Sequence, residues 1–252
     1  MSSFLGRTLG AALLTRGTDC LDVFIIRHGQ QTRPGPDAPE AASYDPPLSD
    51  TGRAQAEAAA DALAAHPITA VYASQLARAH DTAAAIAARH RLGVGVDERL
   101  AEVGIFQQVP AHLSFEQAVG AQAAAEAAET MVRTRKWDAL PLGEGSQAFR
   151  TRVHTAIWEL ASRHLPEPGT AAQARAAAEQ NGEPVPHPQA IAIACHGGVI
   201  NAFLAEEYGL EADFLFRPAH AGITRVRFAA DRAVMLTGNE LGHLEDRDLL
   251  TF

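Results

Sequence analysis

Two short apolar runs, one near each end of a 252-residue chain, break off into His-Gly. The first is Phe24-Ile25-Ile26-Arg27-His28-Gly29, and the second is Ile191-Ala192-Ile193-Ala194-Cys195-His196-Gly197-Gly198. A brief apolar run closed by polar residues and glycine reads as a buried strand. A strand ending in Arg-His-Gly sets a cation, an imidazole and close-approaching backbone at one point. That combination suits the handling of a phosphate. The repeat of the pattern near the other end suggests two strands feeding one site.

The elements between these runs fix the class. Val23–Ile26 predicts the first strand, and Gln30–Pro47 a long polar loop. Ser49 or Asp50 can cap a helix over Gly52–Ala65, which Pro67 stops. Ala70–Tyr72 predicts a second strand, followed by a helix that starts near Arg78 and runs to about His90. Val94–Val96 predicts a third strand. Alternating strand and helix point to a mostly parallel sheet with crossover helices. Residues 103–145 break the rhythm and read as a helical insertion (about Phe115–Arg135) over one face, closed by a Gly/Pro-rich return. Gln147–His164 predicts a helix, and 166–188 a flexible surface excursion rich in Pro, Ala, Gln and Glu. The strand Ile191–Cys195, a helix from Gly198 to about Tyr208 and a strand pair (Ile223–Phe228, Ala233–Thr237) complete the chain. The expectation is a three-layer α/β/α sandwich forming a single domain over 21–252. Residues 1–20 would be an extension, poorly ordered over its first 16 residues.

Composition excludes more than it assigns. A net charge of −9 argues against non-specific nucleic-acid binding and against a polybasic membrane surface. No apolar run reaches the roughly 18 residues that span a membrane. Two cysteines are too few for a disulfide framework or a zinc site. A cytoplasmic location is the default expectation.

In open α/β sheets, ligands sit beyond the carboxyl ends of the strands. Arg27, His28, Arg78, Glu102, His196 and Gly197 all follow predicted strands and could meet at one edge. Arg27 and Arg78 can clamp phosphoryl oxygens with their planar forks. One imidazole can attack phosphorus, and the other can stabilise the transferring group. Glu102 can supply a proton to the leaving oxygen. Gln30 is a further candidate for substrate contact, and His220 is near enough to a strand to line the pocket. Arg133, Arg135 and Lys136 read either as a solvated helix end or as a grip on a second anionic group.

This ordered set resembles the histidine phosphatase, or phosphoglycerate mutase-like, superfamily over residues 22–244. The stretches that carry the resemblance are Phe24–Gly29, Pro47-Leu48-Ser49 through Gly52 with Gln55-Ala56, and Tyr72–Ala79 with Thr82-Ala83. They continue with Leu100-Ala101-Glu102, Gly143–Ser146, Cys195–Gly198 and Asn239 with Gly242-His243-Leu244. The resemblance implies that His28 is phosphorylated, that Arg27, Arg78 and His196 complete the phosphate pocket, and that Glu102 is the proton donor. It implies chemistry without a metal or other cofactor on a small phosphorylated substrate. Oligomeric state, a homodimer included, stays open. Gln30-Gln31-Thr32-Arg33-Pro34 departs from the mutases, which carry an acidic residue, Ser or Thr, and Trp-Asn after Arg-His-Gly. Gly143-Glu144-Gly145-Ser146 departs from the usual Gly-Glu-Ser and weakens any role for Glu144. The expected function is therefore a phosphomonoesterase. A mutase-type phosphotransferase and a non-catalytic phospho-ligand-binding protein are the alternatives.

Overall fold

A computed structural model describes residues 4–14, 19–33, 45–104, 113 and 115–252. Six strands form one sheet: β1 (Leu21–Arg27), β2 (Ile68–Ala73), β3 (Val94–Val96), β4 (Ala190–Cys195), β5 (Ile223–Phe228) and β6 (Ala233–Glu240). Their spatial order is β3-β2-β4-β1-β5-β6. The first four run parallel, while β5 and β6 are antiparallel to their neighbours. The expected α/β class with a mostly parallel, helix-flanked sheet is what the chain adopts.

The two central strands explain the layering. Side chains alternate between faces along a strand. Leu21, Val23 and Ile25 of β1 join Ile191, Ile193 and Cys195 of β4 on one face. Against them pack α6 (Ser146–Ser162), through Phe149, Val153 and Ile157, and α8 (Gly197–Glu207), through Val199, Ile200 and Phe203. The other face carries Phe24 and Ile26 beside Ala190, Ala192 and Ala194. There α2 (Asp50–Leu63) and α3 (Ala77–His90) present alanines of their own. Small side chains on both partners let these helices lie close to the sheet. The Ser49 hydroxyl caps α2 by accepting from the Gly52 N–H.

Three boundaries differ from expectation. The N-terminal segment forms α1 (Phe4–Ala12), and Leu14 after it is buried. Arg227 donates to the Leu14 carbonyl and Arg232 to that of Ala11, so strand-side arginines hold this segment. The 166–188 excursion contains α7 (Thr170–Asn181). Its alanines and long polar residues lack bulk but are strong helix formers, which a reading by hydrophobic content overlooks. The Asp19 carboxylate accepts from Gly169 N and Ala171 N and so fixes the start of that helix. The insertion's helix divides at Gly120, whose φ of +88° suits glycine, into α4 (Phe115–Val119) and α5 (Ala121–Thr134). Residues 105–112 and 114 of the insertion, and 34–44 of the first loop, lie outside the described residues. A short helix, α9 (Gly242–Glu245), follows β6. No described helix is long and apolar enough to cross a membrane.

Candidate active site

The register brings the chemistry together. Arg27 pairs with Cys195 and Ala73 with Ala194, so β1, β4 and β2 end side by side. The next residues step off the same edge: His28 from β1, His196 from β4 and Ser74 from β2. The His28 N–H still donates to the Cys195 carbonyl at 2.9 Å, which extends the ladder by one residue. The rings of His28 and His196 meet edge to face with centroids 5.1 Å apart. Two glycine backbones press on the first turn. A Cβ at Gly29 would lie 2.3 Å from the Gly52 carbonyl, and one at Gly52 would lie 1.9 Å from that of Gln30.

His28 is held in one tautomer. Its Nδ1 lies 2.7 Å from the Gly29 carbonyl, which only accepts, so Nδ1 carries the proton. Nε2 keeps its lone pair and accepts from Arg78 Nε at 3.3 Å. Burial, reinforced by His196 and Arg78, holds this imidazole well below its usual 6.5. It is therefore neutral, and its free nitrogen faces a guanidinium. Arg78 stands at the start of α3, nearly buried, with Asp45 at 3.6 Å beyond it.

Arg27 is held by neutral acceptors. Nη1 donates to the Pro218 carbonyl at 2.6 Å, and Nη2 lies 3.0 Å from His220 Nε2. Burial, aided by Arg217 and Arg78 and opposed by Glu102, lowers its guanidinium to about 10, still charged at neutral pH. Its Nε is buried with no hydrogen-bond partner among the described residues, as is Nδ1 of His196. Such orphans are costly unless something pairs with them. Nε2 of His196 lies 2.8 Å from the Ser74 hydroxyl. A Ser74 O–H that donates there puts the ring proton on Nδ1, the orphaned atom. Burial, with Arg78 and Arg27 adding to it, also keeps His196 well below 6.5. With the His196 proton on Nδ1, a guanidinium N–H and an imidazole N–H stand beside His28 in an arrangement that suits an anion, and α8 begins at the same point with its positive end.

Glu102 closes the fourth side. Its carboxyl oxygens accept from Val103 N at 3.0 Å and Gly198 N at 3.1 Å. Burial raises its pKa above the usual 4.5, although these N–H groups, Arg78 and Arg27 pull the other way. Gly198 is required by this contact: a Cβ there would come within 2.2 Å of Glu102 Oε1. The loop bearing Glu102 is pinned by Glu144, which accepts from Gly104 N at 2.9 Å and from both Arg152 Nε and Nη2. Arg152 also donates to the carbonyls of Arg99 and Ala101. Glu144 thus positions the acid, a role hidden in the sequence by its irregular Gly-Glu-Gly-Ser setting. Ser74 was equally unmarked, although it stands inside the recognised Tyr72–Ala79 stretch.

A cavity of about 450 Å³ opens from Arg27 and Gly197, walled by Trp137, Phe214, Phe216 and Arg217. Asn201 fixes this wall by accepting from the N–H groups of Leu215 and Phe216 and donating to the carbonyls of Gly197 and Phe216. A larger cavity of about 640 Å³ lies at the N-terminal ends of β1 and β4, beside Leu14, Cys20 and α7, remote from these groups. Arg27, His28, Arg78, Glu102, His196 and Gly197 are therefore clustered at the strand ends, and of these Arg27 and Gly197 line the cavity. Gln30 does not line the cavity, and its amide oxygen is taken by the Ser49 hydroxyl at 2.9 Å. Arg133 and Arg135 are exposed, and neither they nor half-buried Lys136 line the cavity. His220 belongs to the site's support, touching Arg27 with its ring tilted against that of His28 at a centroid distance of 5.8 Å.

Comparison with known proteins agrees with this geometry. The curated "Uncharacterized protein Rv0525" of Mycobacterium tuberculosis is 48% identical over 85 residues, 33% of this chain and 41% of that protein. The chain spans about two-fifths of the length of the curated relatives it matches. A solved mycobacterial glucosyl-3-phosphoglycerate phosphatase, Rv2419c, superposes with a TM-score of 0.63 at 25% identity, covering 87% of this chain and 99% of its own. A phosphoglycerate mutase from Bacillus anthracis shares the fold, with a TM-score of 0.63 at 16% identity, over 90% of this chain and 96% of its own. The profile of the histidine phosphatase superfamily (branch 1) matches residues 23–241, from within β1 to just past β6. A match that spans the whole sheet, on a chain whose strand ends gather two imidazoles and two guanidiniums, means that this protein belongs to the histidine phosphatase superfamily.

Proposed function

We propose that the chain is a phosphomonoesterase that works through a phosphohistidine on His28. The observation that carries this reading is the His28 tautomer: Nδ1–H is spent on the Gly29 carbonyl, and the Nε2 lone pair faces Arg78. Nε2 attacks phosphorus, the bond from phosphorus to the ester oxygen breaks, and Glu102 gives that oxygen its proton. Arg27, Arg78 and His196 Nδ1–H take up the charge on the non-bridging oxygens. Water then attacks phosphorus and gives a proton to the Glu102 carboxylate, the P–Nε2 bond breaks, and inorganic phosphate leaves with His28 restored.

The leaving group lies in the cavity beside Trp137, Phe214 and Phe216, which is of metabolite size. Its charged lining among the described residues is cationic, Arg27 and Arg217, so a small anionic metabolite suits it. The likeness to a phosphatase at 25% identity favours hydrolysis, and Gln30 through Pro34 argue against mutase chemistry.

The test is hydrolysis of p-nitrophenyl phosphate and of small alkyl phosphates with EDTA present. Activity is expected to be highest on the acid side of neutrality. His28 is depressed, so it loses its proton below pH 6.5 and stays a nucleophile in mild acid. Glu102 is raised, so it stays a proton donor above pH 4.5 and fails as pH climbs through its shifted value. Glu102→Gln should cost an alkyl phosphate about 10²-fold or more in kcat/KM and a nitrophenyl ester far less in that step, because nitrophenolate needs no proton to leave. Equal losses for both esters, or no hydrolysis of any phosphomonoester, would contradict the assignment.

A further inference from the structure

We propose that His220 and Thr251 are positioning residues that use the C-terminal segment to hold the Arg27 guanidinium at the phosphoryl site. The proposal takes from the phosphatase reading only that Arg27 binds phosphate. A guanidinium can only donate, so the 3.0 Å contact with Arg27 Nη2 makes His220 Nε2 the acceptor. The ring proton then sits on Nδ1 and is donated to Thr251 Oγ1 at 2.9 Å. The His220 N–H donates to the Thr251 carbonyl at 3.0 Å, so side chain and backbone are both tied to the tail.

Thr251 is a hub rather than an end. Gln55, fully buried on α2, donates from Nε2 to Thr251 Oγ1 and to the Leu249 carbonyl, each at 2.7 Å. Gln55 Oε1 in turn accepts from the Gln30 N–H at 2.7 Å, two residues past His28. A continuous chain of hydrogen bonds therefore runs from Arg27 through His220, Thr251 and Gln55 to Gln30. It spans both sides of the nucleophile and closes through Thr251. The neighbouring Arg217 lies over the Phe252 ring, 5.6 Å from its centroid, which holds Phe252 in place beside Thr251.

The choice of an imidazole matters electrostatically. A carboxylate at position 220 would orient Arg27 equally well but would neutralise it. Neutral His220 and the Pro218 carbonyl fix the fork while its charge remains for an anion. Burial, together with Arg27 and Arg217, keeps His220 at about 4, so it remains a neutral acceptor across the pH range of the proposed activity.

The test uses the full-length protein and inorganic phosphate as the probe, with affinity read by calorimetry and hydrolysis of p-nitrophenyl phosphate read in parallel. Thr251→Val should weaken phosphate binding and raise KM by about 5–20-fold, Thr251→Ser should restore both, and Thr251→Val should cost nothing further in an Arg27→Ala background. His220→Glu, which leaves Thr251 in place, should weaken phosphate binding by about 10-fold or more through neutralisation of Arg27. Unchanged affinity in Thr251→Val or in His220→Glu would overturn the proposal. So would losses that multiply with Arg27→Ala, which would mark Thr251 as merely structural. If the wild-type protein binds phosphate but hydrolyses no ester, the phosphatase reading fails while these affinities still decide the relay.

Discussion

Replacing His28 by alanine is expected to lower turnover of p-nitrophenyl phosphate by about 10³-fold or more, because the nucleophile is removed while the rest of the pocket stays. The side chain turns an Nε2 lone pair toward Arg78 at 3.3 Å, whereas the lone pair of His220 is spent on Arg27 Nη2 at 3.0 Å. No neighbour can replace it. His196 has Nε2 engaged by Ser74, and Cys195 is fully buried with its thiol pKa pushed upward. Phosphate binding should survive in the variant, since Arg27, Arg78 and His196 remain. Steady-state kinetics beside phosphate calorimetry would separate the two effects. A variant that keeps a tenth of wild-type turnover would rule out His28 as the nucleophile.

The second large effect is expected at Arg78. Arg78→Lys should reduce kcat/KM by about 10²-fold or more, although charge is conserved, because an ammonium is a point charge and cannot span two phosphoryl oxygens as a planar fork does. The side chain is 8% exposed, so the lysine would also enter a site shaped for the guanidinium. Its loss would be felt twice, since Arg78 Nε also contacts His28 Nε2. The measurement is kcat/KM with a melting curve as control. A loss below about threefold in a stably folded variant would mean that Arg78 does not bear the phosphoryl charge.

These two residues were legible in the sequence for a physical reason. A strand end is a local feature: an apolar run, its break and the residues after it lie within a few positions. Arg27, His28 and His196 are read directly from such breaks, and Arg78 from the start of the helix after β2. The parallel sheet was legible by the same logic, because strand and helix alternate with clear punctuation. What escaped depends on distance along the chain. His220 is legible as a pocket candidate from its place before a strand, but it meets Arg27 and Thr251 only after β5 has folded back beside β1, and nothing in its neighbourhood announces either contact. Glu144 reaches the Glu102 loop from 40 residues away. Helix α7 escaped for the opposite reason: its alanines supply propensity without the apolar stripe that a periodicity reading seeks. The departures after Gly29 narrowed the chemistry towards hydrolysis but could not show that Ser49 engages the Gln30 amide.

The most direct measurement traps the covalent intermediate. Glu102→Gln enzyme is mixed with p-nitrophenyl phosphate, whose leaving group needs no proton, so the first step proceeds while the second lacks its base. Quenching in alkali, which spares phosphohistidine, and peptide mass spectrometry should then find one phosphoryl group on the peptide that carries His28. The label should be lost on acid treatment and absent from a His28→Ala, Glu102→Gln double variant. Turnover with no phosphorylated enzyme in Glu102→Gln, or a phosphoryl group that persists when His28 is gone, would contradict a phosphohistidine mechanism at this site.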